Sequence, residues 1–192
     1  MSVKIATRTA AIAVVMLSMI GGMVQPVAAA PKVDGRPGMA TFQGRVIDLA
    51  KGWQGAQTCL VYSAADTRCF ATHAEADAVL GYTRERDPLY QAAQGSAGSV
   101  VVLAVPVCSS GWLCLYADTN GNGRRLQFRD EYWQYLSNWD FDRQTSSWRN
   151  NQGSSDAGHL SMYNLSTVYN CGANSYANSL GIYNDQAYAV WG

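Results

Sequence analysis

Chemistry in this 192-residue chain would have to come from a short set of side chains: two histidines, five cysteines, one Asp/Asn/Gly cluster and six tryptophans. His73 and His159 lack a second His or a Cys pair at metal-ligand spacing. The strings G-x-S-x-G, H-E-x-x-H and the phosphate loop do not occur. Asp130 and Asp140 are carboxylates of the kind a glycosidase pairs, but surface solvation accounts for them equally. A Cys–His nucleophile competes with the commoner fate of an exported cysteine, a disulfide. The chain therefore reads as a non-enzyme that needs no cofactor.

The richest oxygen cluster is Asp118-Thr119-Asn120-Gly121-Asn122-Gly123, which matches the opening of an EF-hand loop. The twelfth position, which should be a bidentate Glu, is Arg129, and the flanks read as strands. A Gly/Asn hairpin turn is the better reading. Asp142 with Ser146, and Asn184 with Asp185, are further oxygen sources. Calcium needs six to eight such ligands; Arg143 brings a positive charge to the first set, and the second lacks hydroxyls. Ser146 and Ser147 are expected instead to hydrogen-bond the hairpin above them. Trp112, Trp133, Trp139, Trp148 and Trp191 suit either a sugar-stacking surface or a core, and Trp133 and Trp139 are the two expected to show a face.

These residues need a compartment and a scaffold. Lys4 and Arg8, the apolar run 10–20 and the small residues 27–30 form a secretory signal pattern over residues 1–30, too short to span a bilayer. The mature chain is expected to be exported, with no membrane attachment after cleavage. Net charge is zero and 15% of residues are charged, so there is no basic field and no nucleic-acid partner is expected. Cys59 with Cys69, and Cys108 with Cys114, are the expected disulfides; a Cys108–Cys171 bridge is the alternative. Asn164-Leu165-Ser166 is a glycosylation sequon to which no role is assigned.

The organisation expected is a disordered lead at 31–41, a small hairpin–helix module at 42–90, a linker and strap at 91–107, and a β domain at 108–192. Residues 42–49 read as one strand, 58–62 and 68–70 as a hairpin, and 100–105 as a buried strand or strap. Thr72 and Glu75 have capping-box spacing, which predicts a helix over 73–80 that stops at Gly81. Fifteen of the 21 aromatic residues lie in the last 85 positions, which places the packed core there. Strands are expected at 112–117, 124–128, 146–150, 159–163, 176–183 and 188–191, with Asn-Gly turns at 120–123. Residues 141–148 and 183–190 align as a duplicated motif 42 positions apart.

Residues 108–151 resemble the βγ-crystallin Greek-key motif in the form found in secreted bacterial peptidase inhibitors, family thirty-six. The resemblance rests on a cysteine pair around Gly111-Trp112, on Tyr116 with Gly123 seven residues on, and on the closing Asp142-Arg143-Gln144-Thr145-Ser146. In the pattern an acidic or amide residue stands at Arg143, and hydroxyl residues stand at Ala187 and Tyr188. The resemblance implies a mainly β, βγ-crystallin-like double Greek-key sandwich carrying a small α+β N-terminal module. It implies a monomeric, extracellular inhibitor of a metallo- or serine peptidase. The candidate inhibitory loops are Thr119, Asn120, Gly121 and Asn122, and Tyr169, Asn170, Cys171 and Gly172. The alternative is a crystallin-like binding module for cell-wall polysaccharide or calcium.

Overall fold

The protein is described from a computed structural model, covering residues 35–96, 105–163 and 166–192. The signal pattern, most of the expected 100–105 strand and the first two sequon residues lie outside the described residues. Among those described, no helix is long and apolar enough to cross a membrane.

The last 85 residues hold two four-stranded keys. The first is β5 (Leu113–Tyr116), β6 (Arg125–Phe128), β7 (Trp133–Tyr135) and β8 (Ser147–Asn150); the second is β9 (Gly158–Met162), β10 (Val168–Cys171), β11 (Ser175–Ala177) and β12 (Ala187–Trp191). Each third strand crosses to the other key's sheet: β7 pairs with β12, and β11 pairs with β8. One sheet therefore contains β11-β8-β5-β6 and the other is β10-β9-β12-β7. This reciprocal exchange makes the two copies equivalent in topology and gives the double Greek-key sandwich. Short strands and Gly/Asn turns fit it because each strand needs only three to five residues to cross. Strand β7 and strand β10 are additions to the expected set, and β11 is shorter than the 176–183 expected.

The first sheet does not end at β6. Strand β3 (Thr58–Ser63) pairs with it in parallel, Thr58 opposite Arg125 through Val61 opposite Phe128. Strands β4 (Asp66–Phe70), β1 (Met39–Phe42) and β2 (Arg45–Asp48) follow outward, making eight strands in all. The single strand expected at 42–49 is broken, because Gln43 and Gly44 both take positive φ (48° and 73°). That pair is the twist a two-residue hairpin requires. Met39, expected in the lead, begins β1. Cys59 and Cys69 stand opposite each other across β3 and β4 and are bridged; Cys108 and Cys114 are bridged as well.

Helix α1 (His73–Val79) starts from the expected N-cap Thr72, with Glu75 reaching back one residue further than in a regular capping box. The Glu75 amide donates to Thr72 Oγ1, and the Glu75 carboxylate accepts from the Ala71 amide. Gly81, φ +65°, ends the turn that follows. Residues 91–96, expected as linker, are the second half of helix α2 (Pro88–Ser96). Asp87 caps that helix, its Oδ1 accepting from the Leu89 and Tyr90 amides, and Pro88 fills the first helical position.

A single principal core joins both halves of the chain. Phe42, Ile47, Leu49, Trp53 and Val61 pack with Leu113, Leu115, Leu126, Phe128, Trp139, Phe141 and Leu160. Trp139, expected to show a face, is fully buried. Its ring meets Phe128 edge-on, its Nε1 donates to Thr67 Oγ1, and its carbonyl accepts from Trp53 Nε1 at 2.7 Å. A smaller cluster of Leu60, Ala76, Trp112, Tyr116 and the Cys108–Cys114 bridge fills the opposite face of the sheet.

Candidate functional site

Residues 118–123 form the tip between β5 and β6, and their backbone is fixed from four directions. The Asp118 amide donates to Asn122 O, and the Asn122 amide donates to Thr119 O. The Asn120 amide reaches Asn178 O in the second key at 2.8 Å. Ser147 Oγ donates to Asp118 O at 2.6 Å and accepts from the Gly121 amide at 3.0 Å. Asn120 takes φ 61°, a left-handed conformation that Asn tolerates. Gly121, φ +71°, lies so close to Pro106 that a Cβ would stand 2.6 Å from the proline Cβ. Thr119, Asn120 and Asn122 are exposed, and Asn122 Nδ2 donates back to Thr119 O at 3.0 Å. The turn is therefore a rigid, exposed projection, and its Asp118/Asn cluster is a hairpin tip without the helices of an EF-hand.

The second candidate segment is built differently. Tyr169, Asn170 and Cys171 belong to β10, the edge strand of the four-stranded sheet, and Gly172 opens the turn to β11. Val168 and Asn170 are exposed, while Cys171 is fully buried and unbridged. Burial pushes its thiol well above the usual cysteine range, so it stays protonated and inert. Asn150 Nδ2 donates to Cys171 O at 2.8 Å and ties this strand to β8.

The duplicated loops meet each other across the sandwich. The Arg143 amide donates to Ala187 O at 2.8 Å, and the Asp185 amide donates to Thr145 O at 3.0 Å. Arg143 and Asp185 are the aligned residues of the two copies, and both take positive φ (52° and 56°). The side chains then diverge. Ser146 Oγ donates to Asp185 Oδ1 at 3.1 Å, and Asn184 Nδ2 donates to Asp185 Oδ2. On the other side, Arg143 stacks over the Tyr163 ring at 4.8 Å and pairs with Asp142. A cation and rings replace oxygen ligands there. Among the described residues, no group of three or more His, Cys, Asp or Glu side chains is gathered to hold a metal.

The remaining titratable candidates are occupied elsewhere. His73 Nδ1 lies 2.5 Å from Thr58 Oγ1; burial, then the nearby Arg125, lowers its pKa. His159 is on β9, and Asp140 pairs with Arg124 at 3.3 Å. Two buried ion pairs were not anticipated from the sequence. Arg149 grips Asp87 bidentately at 2.5 and 2.6 Å, both side chains fully buried. Arg125 reaches Asp77 at 2.6 Å. The two arginines also hold the carbonyls of Pro106 and Val107, at 2.8 and 3.0 Å. The signal available in the sequence was their alternation with Leu126 and Trp148 on strands, which marks them as residues of the sheet's outer face.

Residues 104–191 match the family model described as Peptidase inhibitor family I36. The match spans both keys, β5 to β12, and leaves β1–β4 and the two helices outside it. One solved chain, titled "Evolution of the eye lens beta-gamma-crystallin domain fold", is similar at 14% identity over 45% of this chain and 89% of that one, with a TM-score of 0.39. No curated protein matches. The inhibitor family and the two disulfides suit an oxidising, extracellular setting.

Proposed function

We propose that the protein is an exported, monomeric peptidase inhibitor that presents the 119–123 turn to the cleft of a secreted metallo- or serine peptidase. The supporting observation is the preorganisation of that turn within the segment matching the inhibitor family. Its amides are satisfied by Asn178 O, Ser147 Oγ and the turn itself, so entry into a cleft costs little further conformational entropy. Thr119 and Asn120 are exposed to make the contacts, while Asn122 Nδ2 donates back to Thr119 O at 3.0 Å and stiffens the turn. The edge of β10 around Tyr169 and Asn170 is the second candidate, since an unpaired edge can add to a protease's own strand.

The test is inhibition of a panel of secreted metallo- and serine peptidases by the wild type, Thr119→Asp and Asn170→Lys. Both substitutions are at exposed positions and leave the core intact. Loss of inhibition in Thr119→Asp alone supports the turn; loss in Asn170→Lys alone moves the contact to β10. Full proteolysis across the panel with the wild type rejects the inhibitor reading.

A further inference from the structure

Among the described residues none covers the outer face of the four-stranded sheet, and its composition is unusual. None of the residues of β7, β9, β10 and β12 is Asp, Glu, Lys or Arg. The register sets two rows across the strands. One runs Trp133, Trp191, His159, Asn170, and the other Tyr135, Ala189, Ser161, Val168. Small Ala189 and Ser161 make a floor between aromatic walls. A β-bulge between Ala187 and Ala189 brings in the Tyr188 ring, stacked on Tyr135 at 6.2 Å and edge-on to Tyr163 at 6.4 Å. Trp133 meets Trp191 edge-on at 6.0 Å on the opposite side. The result is an open groove of about 460 Å³. Trp133, Tyr135, Tyr163 and Val168 are between 43% and 63% exposed.

We propose that this groove binds a neutral polysaccharide. The strands carry no charge, and Arg143 at the rim is already paired with Asp142 and stacked on Tyr163, so an anionic polymer, an acidic peptide or a nucleic acid finds little to pair with. The rings offer flat apolar faces for the C–H faces of pyranoses. Neutral hydrogen-bonding side chains lie among them: Ser161 lines the groove, and Asn170 is exposed at the end of the Trp133–Trp191–His159 row. Sugar hydroxyl groups, each donor and acceptor, can bond both kinds. Strands lie about 4.8 Å apart and same-face residues about 6.8 Å apart, so the two rows cover roughly 14 by 7 Å, room for a few sugar rings.

The walls also account for the chain's departures from its repeat. Tyr188 aligns with Ser146, and Arg143 with Asp185; these altered positions build the Tyr188–Tyr163–Arg143 wall. Bulges that re-aim a side chain in this way accompany binding sites.

The test uses the full mature protein in affinity electrophoresis through soluble neutral glucans, xylan and galactomannan, with depletion onto insoluble cellulose and chitin. Retention by at least one of them, unchanged in molar salt, is expected. Trp133→Ala and Tyr135→Ala should each weaken it about tenfold with unchanged melting temperature, each having lost one stacking face. Val79→Ala, an exposed apolar truncation on α1, should bind as wild type. No retention by any neutral polymer, unaltered retention in the two aromatic variants, or salt-sensitive retention on anionic polymers would overturn the proposal. So would capture by a proline-rich peptide resin in place of the glycans, because such a peptide also uses aromatic grooves.

Discussion

Asp87→Asn is the sharpest probe of how the two halves of the chain are joined. The substitution keeps size and leaves an oxygen to cap α2, so the loss falls on the charge. Arg149 is then buried beneath α2 and the strap at Pro106 without a counter-ion, its Nε already unpartnered. Breaking one partner of a fully buried pair costs about 3–5 kcal/mol. For a folded body of this size each kcal/mol shifts the melting temperature by roughly 2–4 °C, so a fall of some 6–20 °C is expected by circular dichroism. Arg149→Met alone leaves the Asp87 carboxylate stranded, whereas Asp87→Asn with Arg149→Met removes both charges and should recover most of the loss. Acid provides an independent check. Burial pushes the Asp87 carboxyl up, but Arg149, Tyr82 and the Tyr90 amide outweigh it and hold the folded pKa below the unfolded one. That contribution is present above the unfolded pKa of about 3.9 and disappears as pH falls through the folded pKa. Wild type and variant should therefore converge in strong acid. A loss under about 1 kcal/mol at neutral pH would show that Arg149 reaches water cheaply, and the account of a sealed junction would be wrong.

Three smaller tests follow from the same geometry. Gly121→Ala forces a Cβ to within 2.6 Å of Pro106 at a φ of +71°, and should cost about 1–3 kcal/mol by denaturant melts. The Cys171 thiol should resist alkylation in the native protein and react at once in guanidinium, since burial keeps it protonated; rapid native labelling would contradict the described burial. His73 is held neutral, its pKa lowered first by burial and then by Arg125. Its penalty is absent above the unfolded pKa of about 6.5 and grows as pH falls below that, so His73→Gln should flatten the stability profile there, as read by melting temperature against pH.

What was legible in the sequence was local. The Thr72–Glu75 cap, the Asn-Gly turn and the two cysteine pairs each act within a dozen residues, and each is found where its chemistry places it. What was illegible is non-local. Strand β7 has only three residues, too few for a period of two to register, and exists because β12 lies alongside it. Val168 to Cys171 shows no apolar–polar alternation in sequence because apolar Val168 stands on its exposed face, although its burial alternates. The parallel pairing of β3 with β6 leaves no local trace at all. Trp139 was expected at the surface for the same reason: the Trp53 and Thr67 partners that enclose it come from more than 70 residues away.

The N-terminal strands and helices also decide where a partner can approach. In a bare double Greek key both sheets would turn one face to water, and polar side chains would alternate outward. Strands β5, β6 and β8 carry that alternation, with Tyr116, Arg125, Gln127 and Arg149 at the outward positions, yet every residue in them is buried. Helix α1, the residues around Asp87 and the strap at 105–108 cover them, converting outward charges into the Asp77 and Asp87 ion pairs. Strands β7, β9 and β10 keep alternating exposure, and no described element lies over them. One sheet is thereby sealed and the other left open. Both proposed contacts use what is left open, the exposed turns and the aromatic face of the second sheet, so substitutions on β7 and β12 should change binding where equivalent ones on β5 and β8 change stability.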